Sequence, residues 1–295
     1  MPSLKDVQNK ISGVKKTRQI TKAMNMVAAS RLRGAQLKME AFRPYADKFG
    51  QVLGSLAERA GEDASPLLTP KDKVKKILLV LCTSDRGLCG GFNFNLIQKA
   101  QNYMAGLESD VAVDMVNFGK RGRDWARKEG LNRVQEHIGI VGARFGFNVA
   151  SDSGAFFIKG FLEGEYDEVH IIYSQFISMG KQVPVLQQLV PIPPIEVEGT
   201  VEEDGQEYLP EHICEPSADA LLADLLPRNV YVQIYKALLE TSTSEQAARM
   251  TAMDNATKAC NDMLDELTLL YNKARQSAVT TELMDIVGGA EALKG

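Results

Sequence analysis

Apolar and small residues near the end of the chain recur at Met250, Met253, Thr257, Cys260, Leu264, Leu267, Tyr271, Ala274 and Ala278. These steps of three and four keep one helical stripe over four heptads. Neither Pro nor Gly occurs from Arg228 to Val287, so the spacing predicts one continuous helix. At 1.5 Å per residue its sixty residues would run about 90 Å, well beyond the roughly 50 Å width of a compact chain of this size. The helix is therefore expected to project and to need a partner for its stripe. The start of the chain offers one. No Pro interrupts Ser3 to Arg43, and Leu4, Val7, Ile11 and Val14 step by three and four, which predicts an antiparallel coiled coil of the two termini. The stripe loses phase at Thr17 and Arg18. Ile20, Ala23, Met24, Met26, Val27, Ala28 and Ala29 then cover more than one face, as expected of a helix enclosed by more than one neighbour.

Between the helices the pattern changes. Ile77 to Cys82 is a short, continuous apolar run, the signature of a strand buried on both faces. A Gly-rich turn follows, then a helical pattern from Leu96 to Met104, a strand from Val111 to Phe118, helices over 119–128 and 151–162, and a strand from Glu168 to Phe176. Alternating strands and helices predict a small Rossmann-like α/β core. The Pro-rich piece Val190 to Ile195 and the acidic stretch after it read as an exposed edge leading into the last helix. The expected organisation is an N-terminal coiled-coil helix over 1–60, an α/β domain over 74–215, and a C-terminal helix over 216–288 that pairs with the first. No internal repeat of 20 to 50 residues is visible.

Charge adds a polarity to this plan. From Met1 to Arg43 there are ten Lys and Arg against only Asp6 and Glu40, whereas from Glu196 to Asp224 ten acidic residues meet no Lys or Arg. Such a split selects partners of different character. The four cysteines, Cys82, Cys89, Cys214 and Cys260, form no CxxC pair, which fits neither a disulfide framework nor a zinc site and points to a reducing compartment. No stretch reaches the roughly 20 apolar residues that span a bilayer, and the N-terminus lacks the apolar core of a secretory signal. Its basic pattern runs on as a long helix instead of ending as a leader would.

The candidate chemistry is sparse. The turn Thr83 to Asn93 (TSDRGLCGGFN) sits between a strand and a helix, where phosphate loops occur. However, it has neither GxxxxGK[ST] nor GxGxxG, and Phe118-Gly119-Lys120 stands where a ribose would need an acid. His137, His170 and His212 are scattered, and none falls in a catalytic motif. No catalytic residue, cofactor site or metal site is therefore expected. The basic N-terminal helix is compatible with nucleic acid, an anionic membrane or an acidic protein surface. No aromatic precedes Phe42 to stack on bases or wedge into lipid, and 20–29 is too apolar for a free surface, so a protein partner is favoured.

Four segments, ISGVKKTRQITKAMNMVAASRLRGA (Ile11 to Ala35), TSDRGLCGGFN (Thr83 to Asn93), SEQAARMTAMDNATKA (Ser244 to Ala259) and NKARQSAVTTELMDIVGGAEAL (Asn272 to Leu293), closely resemble the gamma subunits of F-type ATP synthases, the bacterial ones above all. The resemblance spans the whole plan of the chain. It implies a non-catalytic rotor: the terminal helices enter the ring of three alpha and three beta subunits, while the α/β domain stands outside as a foot against epsilon and the membrane ring of c subunits. ATP chemistry belongs to beta, with ion flow turning the shaft. The expected location is peripheral, on the cytoplasmic face of the bacterial cell membrane, with no nucleic acid bound.

The same resemblance implies residue roles. Arg275, Gln276, Thr280 and Glu282 would touch the catch region of beta, with Met24 facing them from the N-terminal helix. The charged positions among Lys5 to Lys22 would be candidates for the acidic lever loop of beta. Glu215-Pro216 would meet the c ring, although His212-Ile213-Cys214 stand where the family usually has aromatics. The dithiol insert of the chloroplast version has no counterpart here, so no redox control of that kind is expected.

Overall fold

The structure, a computed structural model, describes residues 3–60, 65–71, 73–143, 145–193, 200–201, 207–208 and 218–292. It opens with helix α1 (Leu4–Ala60) and closes with α5 (Ala218–Ala292). Between them stand β1 (Lys76–Cys82), α2 (Phe92–Ala105), β2 (Ala112–Phe118), α3 (Lys120–Lys128), β3 (Asn132–His137), α4 (Asn148–Leu162), β4 (Glu168–Ser178) and β5 (Lys181–Val190), with a small pair, β6 (Thr200–Val201) and β7 (Glu207–Tyr208). Among the described residues no helix is long and apolar enough to cross a membrane.

The chain divides into two compact units. One holds residues 1–28 and 249–295, and the other holds 29–248. The boundary falls inside both long helices.

The larger unit is built on a sheet of order β3-β2-β1-β4-β5. β1 pairs in parallel with β2 and β4, β2 with β3, and β5 returns antiparallel on β4. The apolar run of β1 is needed because both faces of this central strand are covered. Leu78, Val80 and Cys82 point to a core shared with Leu53 of α1, Phe157 of α4, and Leu226, Val230 and Ile234 of α5. Leu79 and Leu81 point the other way, to Leu96 and Ala100 of α2 and Ala126 of α3. Each such leucine contributes roughly 1.5–3 kcal/mol on burial. The crossovers place α2 and α3 on one face, and the return from β3 past the centre to β4 places α4 on the other.

Besides the small β6–β7 pair, two strands of the five-stranded sheet lie outside the expected set. β3 (NRVQEH) is a polar edge strand with no apolar alternation, and β5 contains Pro184, which ordinarily demotes a strand but is tolerated on an edge. The expected exposed edge from Val190 is corrected at its start. Val190, Pro191 and Ile192 are buried, and the Ile192 N–H donates to Leu67 O at 2.8 Å. Pro193 is exposed, Thr200–Val201 and Glu207–Tyr208 form the β6–β7 pair, and residues 194–199, 202–206 and 209–217 lie outside the described residues.

Candidate subunit interface

In the smaller unit, the first turns of α1 run against the 250–278 stretch of α5. Every position of the α5 stripe read from the sequence, Met250 through Ala278, is buried or half-buried, and its outward neighbours are largely exposed. On α1 the seam continues through Leu4, Val7, Ile11, Val14, Arg18, Thr21, Asn25 and Ala28. The phase expected to fail at Thr17–Arg18 is thus kept, with polar residues in the seam. Arg18 Nη1 donates to Asn261 Oδ1 at 3.2 Å, Thr257 Oγ1 to Thr21 Oγ1 at 2.8 Å, and Asn25 Nδ2 to the Met250 carbonyl at 2.8 Å. These bonds fix the antiparallel register, as polar seam positions do in coiled coils. An apolar-only search missed them, whereas the bare heptad spacing from Leu4 would have found all three.

With polar groups inside the seam, several apolar residues of the 20–29 stretch lie outside it. Ile20, Met26 and Val27 are more than half exposed. At the other end of the unit, every side chain described from Val279 to Ala290 is exposed, including Val279, Leu283, Met284, Ile286 and Val287. Here α5 has run past the start of α1 and has no partner within the described residues. Contiguous exposed apolar surface of this kind marks an interaction site.

The predicted contact residues take their places on this unit. Arg275, Gln276, Thr280 and Glu282 are all exposed, and Thr280 Oγ1 bonds back to the Gln276 carbonyl at 2.9 Å. Lys5, Lys10, Lys15, Lys16 and Lys22 are exposed as well. Met24 is half-buried and does not face Arg275. The Thr21–Thr257 and Asn25–Met250 bonds set it beside residues 250–257. Arg275 lies eighteen residues past Thr257, about 27 Å along the helix. The expectation that Met24 faces the Arg275 group is corrected by the antiparallel register. Glu215, with His212, Ile213, Cys214 and Pro216, lies outside the described residues.

The Gly-rich turn is closed by its own hydrogen bonds. Asn93 Oδ1 accepts from the Ser84 N–H at 3.0 Å, and Asn93 Nδ2 donates to Cys89 Sγ at 3.1 Å. The amides that open α3 are also taken: Lys120 N–H by Asp85 Oδ1, Arg121 N–H by Ser84 O, and Gly122 N–H by Thr83 Oγ1. Asp85 Oδ2 accepts from Gly139 N–H as well, and that carboxylate stands where a phosphate would be repelled. Gly119 has φ 103°, and a Cβ there would overlap Thr83 O, so this glycine allows β1 and α3 to meet. The turn presents Leu88, at φ 63°, and Phe94 of α2 to solvent, two apolar side chains that no periodicity in the sequence marks. Among the described residues no three His, Cys, Asp or Glu side chains gather as metal ligands.

Compared with known proteins, residues 3–293 match the family model described as ATP synthase. The ATP synthase gamma chain of Desulfosudis oleivorans is 66% identical over the whole of both chains. That of Desulforapulum autotrophicum is 57% identical over 99% of this chain and all of its own. Among solved structures, a chain of the Euglena gracilis mitochondrial ATP synthase superposes with a TM-score of 0.69 at 20% identity, covering 98% of this chain and 94% of that one. A chain of the Tetrahymena thermophila mitochondrial central stalk and c-ring gives 0.59 at 26% identity, covering 80% and 99%.

Proposed function

The chain belongs to the ATP synthase gamma-chain family, and on that premise we propose that it is the rotor of an F-type ATP synthase without a catalytic site of its own. The helices of residues 1–60 and 216–288 form the shaft inside a ring of three alpha and three beta subunits. Residues 74–215 form the foot, against epsilon and the c ring, peripheral to the cytoplasmic face of the cell membrane. The observation that carries the reading is the bare apolar end of α5, Val279 to Val287, which no described part of its own chain covers. A surrounding sleeve of subunits supplies that cover.

Coupling then takes a definite form. An asymmetric two-helix rod offers each beta subunit a different face, so its angle biases which conformation each site holds. Ion flow through the c ring turns the foot, and the shaft carries the turn to the beta sites. The register of the helices divides the beta contacts into two levels about 27 Å apart: Arg275, Gln276, Thr280 and Glu282 near the end of α5, and Met24 with the exposed Ile20, Met26 and Val27 on α1. The exposed lysines from Lys5 to Lys22 supply cations for the acidic lever loop of beta. Glu215 is assigned to the c ring.

Mixing the purified chain with alpha and beta subunits from the same source tests the assignment. A single particle of three alpha, three beta and one copy of this chain, with ATPase activity far above that of alpha and beta alone, supports it. Failure to associate, with ATP hydrolysis by the chain itself, overturns it.

A further inference from the structure

Glu240 of α5 is 2% exposed, a rare state for a carboxyl side chain. The Phe176 N–H of β4 donates to its carboxyl, while Oε2 has no hydrogen-bond partner among the described residues. The charged and titratable groups around it come from three elements: Lys236 one turn earlier on α5, Arg43 and Asp47 on α1, and Tyr173 on β4. None of these forms an ion pair with it. Lys236 is drawn aside to Asp47, with Nζ 3.9 Å from Oδ1.

Beside the carboxyl is a cavity of ≈ 10 Å³, lined by Met39, Phe42, Arg43, Lys236, Leu239 and Glu240. That is about the space one water centre needs, and a water is retained where two or more polar groups converge on it. Glu240, Arg43 and Lys236 provide them. A dry cavity would leave a buried carboxyl oxygen unpaired, which is the costlier arrangement. We propose that this cavity holds one ordered water joining Glu240 Oε2 to Arg43 and Lys236, and that Glu240 with its water is a proton-operated tie between α1, α5 and β4.

The direction of the response follows from the surroundings. Burial pushes the Glu240 carboxyl up from its ordinary 4.5, against the opposing pull of Lys236, the Phe176 N–H and Arg43. A carboxyl raised in the folded chain takes up a proton on folding. Its contribution is fully present below 4.5 and is lost as pH rises through the folded value. Acidification toward 4.5 therefore adds to the stability of the fold at this junction, the reverse of the usual behaviour of a carboxylate.

Two measurements on the full chain test this. Urea stability is followed from about pH 8 to about pH 5 for the wild type, Glu240→Gln and Arg43→Gln. The wild type should gain on Glu240→Gln as pH falls. Arg43→Gln, which removes a cation favouring ionised Glu240, should steepen the dependence and keeps the test alive if the first variant does not fold. Parallel pH profiles for the folded variants and the wild type overturn the tie. Magnetisation transfer from a long-lived water to the Met39 and Leu239 methyls reads the cavity directly. Transfer is the expected result, and its absence shows a dry cavity and overturns the water.

Discussion

Thr257 Oγ1 on α5 donates to Thr21 Oγ1 on α1 at 2.8 Å, inside a seam that also holds Val7, Ile11, Val14, Ala28, Met253 and Leu264. Thr21 is buried, and each hydroxyl also reaches a carbonyl of its own helix, Thr21 to Arg18 O and Thr257 to Met253 O, so removing one hydroxyl costs the other only the cross-helix bond. Thr21→Val or Thr257→Val alone should destabilise the chain by about 1 kcal/mol. The double variant should cost less than the sum, because either single variant already loses the one bond the pair shares. A double-mutant cycle by chemical denaturation measures the difference.

Arg275→Ala with Gln276→Ala should leave the chain's own stability within about 0.5 kcal/mol, since both side chains are exposed and neither fills the seam. Assembly with alpha and beta, or ATPase coupling in the assembled particle, should fall. Loss of helicity in the isolated variant would mean that the pair is structural.

Gly119→Ala should lower stability by more than about 2 kcal/mol, combining a strained positive φ with overlap on Thr83 O. Gly130→Ala, at φ 71° with open space around it, isolates the backbone part and should cost less. Denaturation midpoints of the two variants give the comparison.

Asp167 should show the opposite pH response to Glu240. Burial works against its charge, but the N–H groups of Lys75 and Lys76 and the ammonium of Lys71 outweigh burial and hold its carboxyl below the ordinary 3.8. Its contribution is present above 3.8 and is lost as pH falls through the folded value. Asp167→Asn should therefore cost about 1.5–3 kcal/mol near neutral pH. The gap to the wild type should close in strong acid, as read from urea midpoints across pH.

How much of this was legible in the sequence depended on whether burial leaves a periodic trace. The α5 stripe did, because each of its nine positions is buried or half-buried while its outward neighbours are largely exposed. The apolar run of β1 did also, because a central parallel strand has no wet face. β3 and β5 did not. Edge strands are half-solvated, and Gln135, Glu136, Pro184, Gln187 and Gln188 break any alternation. Within α1, Arg18, Thr21 and Asn25 hid the seam because their hydrogen bonds do there what apolar contact does elsewhere. The proposed contact residues of the shaft rest on family resemblance alone, since an exposed Arg275 or Gln276 leaves no mark of a partner in its own chain. The register that separates Met24 from Arg275 needed the cross-helix bonds.

The rotor assignment is tested most directly by watching the chain turn. With alpha and beta fixed to a surface and a bead on the sheet unit of this chain, ATP should drive one-directional rotation in three steps per turn, matching the threefold ring. A bead that stays still while the same particles hydrolyse ATP would contradict the assignment.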